Sequence, residues 1–242
     1  MTRLVLAALA AVGVFAVATP AAAAPAVAAP SADVHPSATA TPATGGATSG
    51  LAIGLDGLKQ AISDRLDARL TTLATLSTVI SGAQHLTDAH RATLSALVAT
   101  DRSRLTSLKA AAAGEQTIAA LRADARSMVD DYRVYALVVP KVRLTIAADL
   151  ATHAQEVLQQ VHARLAVRAT PGAAVHLADM QNQLSTASLA GVADALLAVP
   201  AGTDAKAIKS KVGTARSAVG TSRTALRKAL VDAKAIRQLV TS

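Results

Sequence analysis

The chain has 242 residues, of which 52% are hydrophobic and 17% charged, with no cysteine and a formal net charge of +8. The missing cysteine excludes disulfides, thiolate metal sites, a cysteine nucleophile and a lipid-modified N-terminal cysteine. Aromatic residues make up only 1%, which argues against sheets and against a core built on rings.

The hydrophobic residues are mostly Ala, Leu and Val, and the polar ones include many Arg, Lys and Gln, so most residues lose little rotamer freedom in a helix. The expected fold class is all-α: an elongated antiparallel bundle of about five long helices. Length admits one domain or two small ones.

The first 23 residues read as a secretory signal peptide. One Arg precedes an apolar run from Leu4 to Ala18, Pro20 breaks it, and Ala21 and Ala23 suit cleavage before Ala24. The run falls short of the roughly 20 residues needed to span a bilayer. An exported location follows, either secreted or at the cell envelope. Residues 24–50 mix Pro, Ala, Ser, Thr and Gly almost without charge, the composition of a flexible tether. A helical domain is expected over 51–242.

Its first helix spans about 55–80, with Leu55, Leu58, Ile62, Leu66, Leu70, Leu73, Leu76 and Ile80 on one face. Gly82 ends it, and Thr87 is placed to cap the next. That second helix, about 88–112, carries Leu94, Leu97, Val98, Leu105 and Leu108 and stops at Gly114. In the third region Ile118, Leu121, Ala125, Met128, Tyr132, Tyr135, Val139, Val142 and Ile146 keep an unbroken heptad spacing. Because the seam runs across Pro140, one long helix from about 116 to 168, kinked at that proline, is expected. A fourth apolar segment occupies 173–199, its pattern drifting near Gly191. The last helix, 204–241, follows the turn at Pro200 and Gly202.

Charge is concentrated at the C-terminus. Residues 31–203 hold 14 Lys/Arg and 14 Asp/Glu, whereas 204–242 hold nine basic residues against two acidic ones. Lys209, Arg216, Arg223, Arg227 and Lys234 fall on one stripe beside the apolar seam, roughly 37 Å long. Such an array suits a linear polyanion or an anionic lipid surface. Its alternative is a solvated helix flank paired with Asp64, Asp67, Asp124 or Asp130. Nucleic acid is disfavoured, because no aromatic platform accompanies the cations.

Asp101 falls in the middle of the second helix's apolar stripe, where a carboxylate is costly unless paired. Tyr132, Arg133 and Tyr135 are its expected partners, in a buried polar contact that fixes helix register. Asp149, His153 and Glu156 line one side of a helix, but off its apolar stripe, so they read as a solvated flank and no metal or other cofactor is expected. His35, His85, His90, His162 and His176 show no ligand spacing. No catalytic motif occurs.

The alanine-rich leader, the tether, LTDAHRATL (86–94) and DYRVYALVVPKV (131–142) together resemble a family of uncharacterised secreted helical proteins of actinobacteria. The resemblance covers roughly 55–165. It implies export and a helical fold but no activity, and no catalytic residue is carried over. The expected function is a non-enzymatic structural or binding role outside the cytoplasm, with the basic helix as the contact surface. Two alternatives stand beside it: helices that open on an anionic membrane, and an enzyme with a site near Asp101.

Overall fold

The computed structural model describes residues 47–241, with side chains over 54–240. The expected signal peptide and most of the expected tether lie outside the described residues. Among the described residues the structure is all-helical, without a strand. The elements in order are α1 (Ala47–Gly82), α2 (Asp88–Gly114), α3 (Ile118–Asp130), a π-helical turn (Val134–Val138), α4 (Val139–Ala166), a 3-10 turn (Pro171–Ala173), α5 (Ala174–Thr186), α6 (Val192–Leu197) and α7 (Ala205–Thr241).

Helix α1 starts before Leu51, in the last residues assigned to the tether. It packs antiparallel on α2. Lys59 reaches the carbonyl of Ala113, Lys109 pairs with Asp67, and Arg91 donates to the carbonyls of Ile80 and Ala83, so partner numbers fall along one helix as they rise along the other. Arg91 thereby satisfies carbonyls that the end of α1 leaves open. Thr87 caps α2, its hydroxyl accepting from the His90 N–H at 3.2 Å. The expected seam is inside: Ile62, Leu66, Leu73, Leu76, Ile80, Leu94, Val98 and Leu105 are all buried.

The single helix expected over 116–168 is two helices. The break falls at Tyr132–Arg133, not at Pro140. Asp130 and Asp131 sit at the C-terminal end of α3, where the helix dipole disfavours negative charge. Arg133 then adopts a left-handed conformation with φ 44°. In the wide turn that follows, the Val138 N–H reaches the Arg133 carbonyl and the Val139 N–H reaches that of Val134. Pro140 therefore stands in the first turn of α4, directly after the wide turn and not at the break. Widening the turn also rotates the register. Val134, Leu137 and Val138 face inward, and Tyr135 is turned out to 52% exposure.

The fourth segment divides as well. Gly191, at φ 70°, takes a conformation open to glycine and separates α5 from α6.

Helix α4 belongs to two cores. Its first turns (Val142, with Ile146 alongside) pack with α1, α2 and α3. Its later turns (Ala148, Ala151, Ala154, Leu158) pack with Met180 and Leu184 of α5 and with Val219, Leu226, Ala229 and Ile236 of α7. Alanines on α4 let these helices approach closely. Gln155 to the Leu184 carbonyl and His162 to the Leu177 carbonyl run α5 antiparallel to α4. His176 with Asp232, and Ser222 with the Ala187 carbonyl, run it antiparallel to α7. A third, smaller cluster joins Leu137, Leu196, Val199, Ile208, Val212 and Ala215 around α6.

Candidate functional site

The cationic stripe lies on α7. Ile208, Val212, Ala215, Val219, Leu226 and Ile236 bury one side of this 37-residue helix. Beside them Lys209, Arg216, Arg227 and Lys234 are exposed, while Arg223 is half-buried. Three of the four acids expected as partners are engaged elsewhere, and the fourth, Asp124, is half-buried with its Oδ2 unpartnered among the described residues. Asp67 holds Lys109 at 2.6 Å, Asp130 holds Arg133 at 2.9 Å, and Asp64 accepts from Gln60 at 2.7 Å. Four of the five cations thus form a solvent-facing row of like charges along the helix, with Arg223 turned partly inward.

Asp101 is buried, with 7% exposure, as its place in the stripe requires. Burial raises its pKa, against the opposing charges of Arg104 and Lys141. The expected partnership is corrected. No hydrogen bond among the described residues joins Asp101 to either tyrosine or to Arg133. Tyr132 stays near, its phenol raised by burial with Asp131 and Asp101 adding to the effect, and it packs on the α1–α3 core. Tyr135 faces solvent, its ring under the guanidinium of Arg69 at 5.2 Å. Arg133 turns the other way, donating to the carbonyls of Gly202 at 2.6 Å and Thr203 at 3.1 Å.

Of the two cations acting on Asp101, Lys141 of α4 is the buried one, 5% exposed and donating to the carbonyls of Leu197 and Val199. Burial lowers its pKa, with Asp101 opposing. Sequence reading missed Lys141 because it lies next to the seam residue Val142, and a long cation there reads as a solvated flank.

The largest departure is at the α2 N-terminus. Asp149, expected on a solvated flank, is buried and accepts from the Thr87 N–H at 2.8 Å and from His90 Nδ1 at 2.9 Å. A carboxylate there satisfies an orphan N–H and meets the positive end of the helix. His90 Nε2 lies 3.1 Å from Asp194 of α6. Burial alone would lower this imidazole, but the hydrogen bonds and charges of Asp149 and Asp194 outweigh it and hold the pKa above the ordinary histidine value. His153, one turn beyond Asp149, stacks on His85 with ring centres 4.2 Å apart. Glu156 is exposed. The residues come from the α1–α2 loop, α2, α4 and α6, so no spacing within one helix could reveal the cluster.

Among the described residues no group of three or more His, Cys, Asp or Glu is arranged to hold a metal ion, and no helix is long and apolar enough to cross a membrane. A cavity of about 500 Å³ lies at the α6–α7 turn, lined by Val199, Pro200, Gly202, Asp204 and Lys211 among others, and Asp101 is not in its wall. No protein-family model, curated protein or solved structure matches the chain.

Proposed function

We propose that this chain is an exported, non-enzymatic helical protein with a structural or binding role at the cell envelope or outside the cell. Its domain is an elongated antiparallel bundle, and the C-terminal helix is its contact surface for an anionic envelope polymer. The leader pattern and the resemblance to secreted helical proteins support export. One observation carries the binding assignment: Lys209, Arg216, Arg227 and Lys234 stand exposed along one flank of α7, on a body that is otherwise formally neutral over residues 31–203. A linear polyanion laid along such a row releases its counterions on contact, so affinity falls steeply with salt. Nucleic acid remains the poorer fit, because residues 204–242 contain no aromatic side chain to stack on bases.

A second reading, an anionic lipid surface, draws on a different feature. Val167, Val175, Val231 and Leu239 are exposed, in the part of the molecule where α4 ends, α5 begins and α7 runs out. Apolar side chains among cations suit a bilayer interface.

The experiment passes the protein and a K209E/R216E/R227E/K234E variant over heparin, purified cell wall and anionic liposomes across a salt series. Helicity of both is checked by circular dichroism. Wild type is expected to bind heparin and wall, with retention falling as salt rises, and the variant to bind at least about tenfold more weakly. Equal retention overturns the assignment. Binding to liposomes alone favours the lipid reading.

A further inference from the structure

Helix α6 and the turns on either side of it, residues 187–204, form a strap laid across α4. Three side chains, from α2, α4 and the turn before α4, pin it from below. His90 of α2 holds Asp194 near its start, Lys141 of α4 holds the carbonyls of Leu197 and Val199 at its end, and Arg133 holds those of Gly202 and Thr203 beyond. Leu196 and Val199 of the strap cover Leu137, Ile208, Val212 and Ala215, with Leu144 alongside. A six-residue helix has little stability of its own, so its closure depends on these contacts.

We propose that the strap is a pH-sensitive closure, fastened when His90 is protonated and loosened when His90 loses that proton. The two short contacts of the ring carry the argument. A carboxylate only accepts, so an imidazole bonded to Asp149 through Nδ1 and to Asp194 through Nε2 needs a hydrogen on both nitrogens. A neutral ring can serve one of them. Asp149 is buried and also holds the Thr87 N–H, whereas Asp194 is 77% exposed. The bond given up is therefore the one to Asp194, which frees the strap.

The other charged groups around the ring do not reverse this. On its own helix are Asp88 and Arg91, and the Arg91 guanidinium is committed to the carbonyls of Ile80 and Ala83. From α4 comes His153, stacked on His85 of the α1–α2 loop. The sign follows from the elevated pKa of the closed state. Closure is strongest below the elevated value and weakens as pH rises through it, by the share of the elevation that Asp194 supplies, since Asp149 stays bonded to the ring in the open state. Opening uncovers Leu137 and Val212, an apolar surface that the closed bundle hides.

Hydrogen exchange of the full chain at pH 5.5 and 8.0, corrected for intrinsic rates, tests this. Residues 187–204 are expected to open roughly three- to tenfold more at pH 8.0, with α1 and α2 unchanged. The D194N variant changes an exposed side chain and leaves the cores intact. Its strap is expected to open equally at both values, as is that of a second variant, H90Q. The proposal is overturned if strap protection in the wild type is the same at both pH values. It is also overturned if D194N keeps the wild-type pH dependence, or if protection falls evenly over all helices.

Discussion

The ammonium of Lys141 lies 2.5 Å from the carbonyl oxygen of Val199 and 2.8 Å from that of Leu197. Where α6 runs out of partners, a buried cation from another helix serves as its cap. Lys141→Met keeps the stem's volume and removes the donors, leaving two carbonyls unsatisfied. It is expected to destabilise the protein by about 2–3 kcal/mol in chemical denaturation, with exchange increased first in residues 192–200.

Asp101 gives a pH signature of opposite origin to that of His90. Its pKa is raised by burial, so the fold favours the neutral acid, and the stability this brings is full below the ordinary carboxylate value and lost as pH rises through the elevated one. Asp101→Asn mimics the neutral form. It is expected to melt above wild type at pH 7, by no more than about 2–4 °C, and the two melting curves should converge as pH falls towards 3. A gap that widened on acidification would contradict the burial argument.

The two tyrosines should respond differently. Tyr132 packs on the α1–α3 core, and Tyr132→Ala is expected to cost about 2–3 kcal/mol. Tyr135 touches Arg69 in water, and Tyr135→Ala should cost under about 1 kcal/mol. Paired denaturant titrations check both.

Arg133 combines a strained backbone with a useful side chain. Arg133→Gly loses the bonds to Gly202 and Thr203 but relieves the left-handed conformation, whereas Arg133→Ala loses the bonds and keeps the strain. The glycine variant is expected to be the more stable of the two by about 1 kcal/mol.

Thr145 is fully buried, and its hydroxyl has no hydrogen-bond partner among the described residues. Thr145→Val keeps the shape and removes the orphan group, so a gain of about 1 kcal/mol is expected by thermal melting.

The helical faces were legible in the sequence because burial on a helix leaves a periodic trace, as in Ile62, Leu66, Leu73 and Leu94, Val98, Leu105. Asp101 was legible as the exception within one such face. The break at Arg133 was not. The heptad spacing ran straight through it, and the signals that end α3 (the Asp130–Asp131 pair and a left-handed arginine) carry little weight against a continuous apolar seam. The turn moved Tyr135 out of the core by changing the register, which no pattern of residue types records. His90, Asp149 and Asp194 escaped for another reason: they are 59 and 45 residues apart in sequence and meet only once the helices pair. The stripe on α7 was readable as a stripe, whereas the half-burial of Arg223 depended on what lies beside it.

Because α4 contributes its first turns to one core and its longer remainder to the other, it is a continuous element through which the α1–α3 group and the α5–α7 group sense each other. The two groups should therefore melt in a single transition only while α4 is unbroken. A proline placed near Ala147 would uncouple them, and calorimetry would then resolve two heat-absorption peaks where there had been one, each with its own enthalpy.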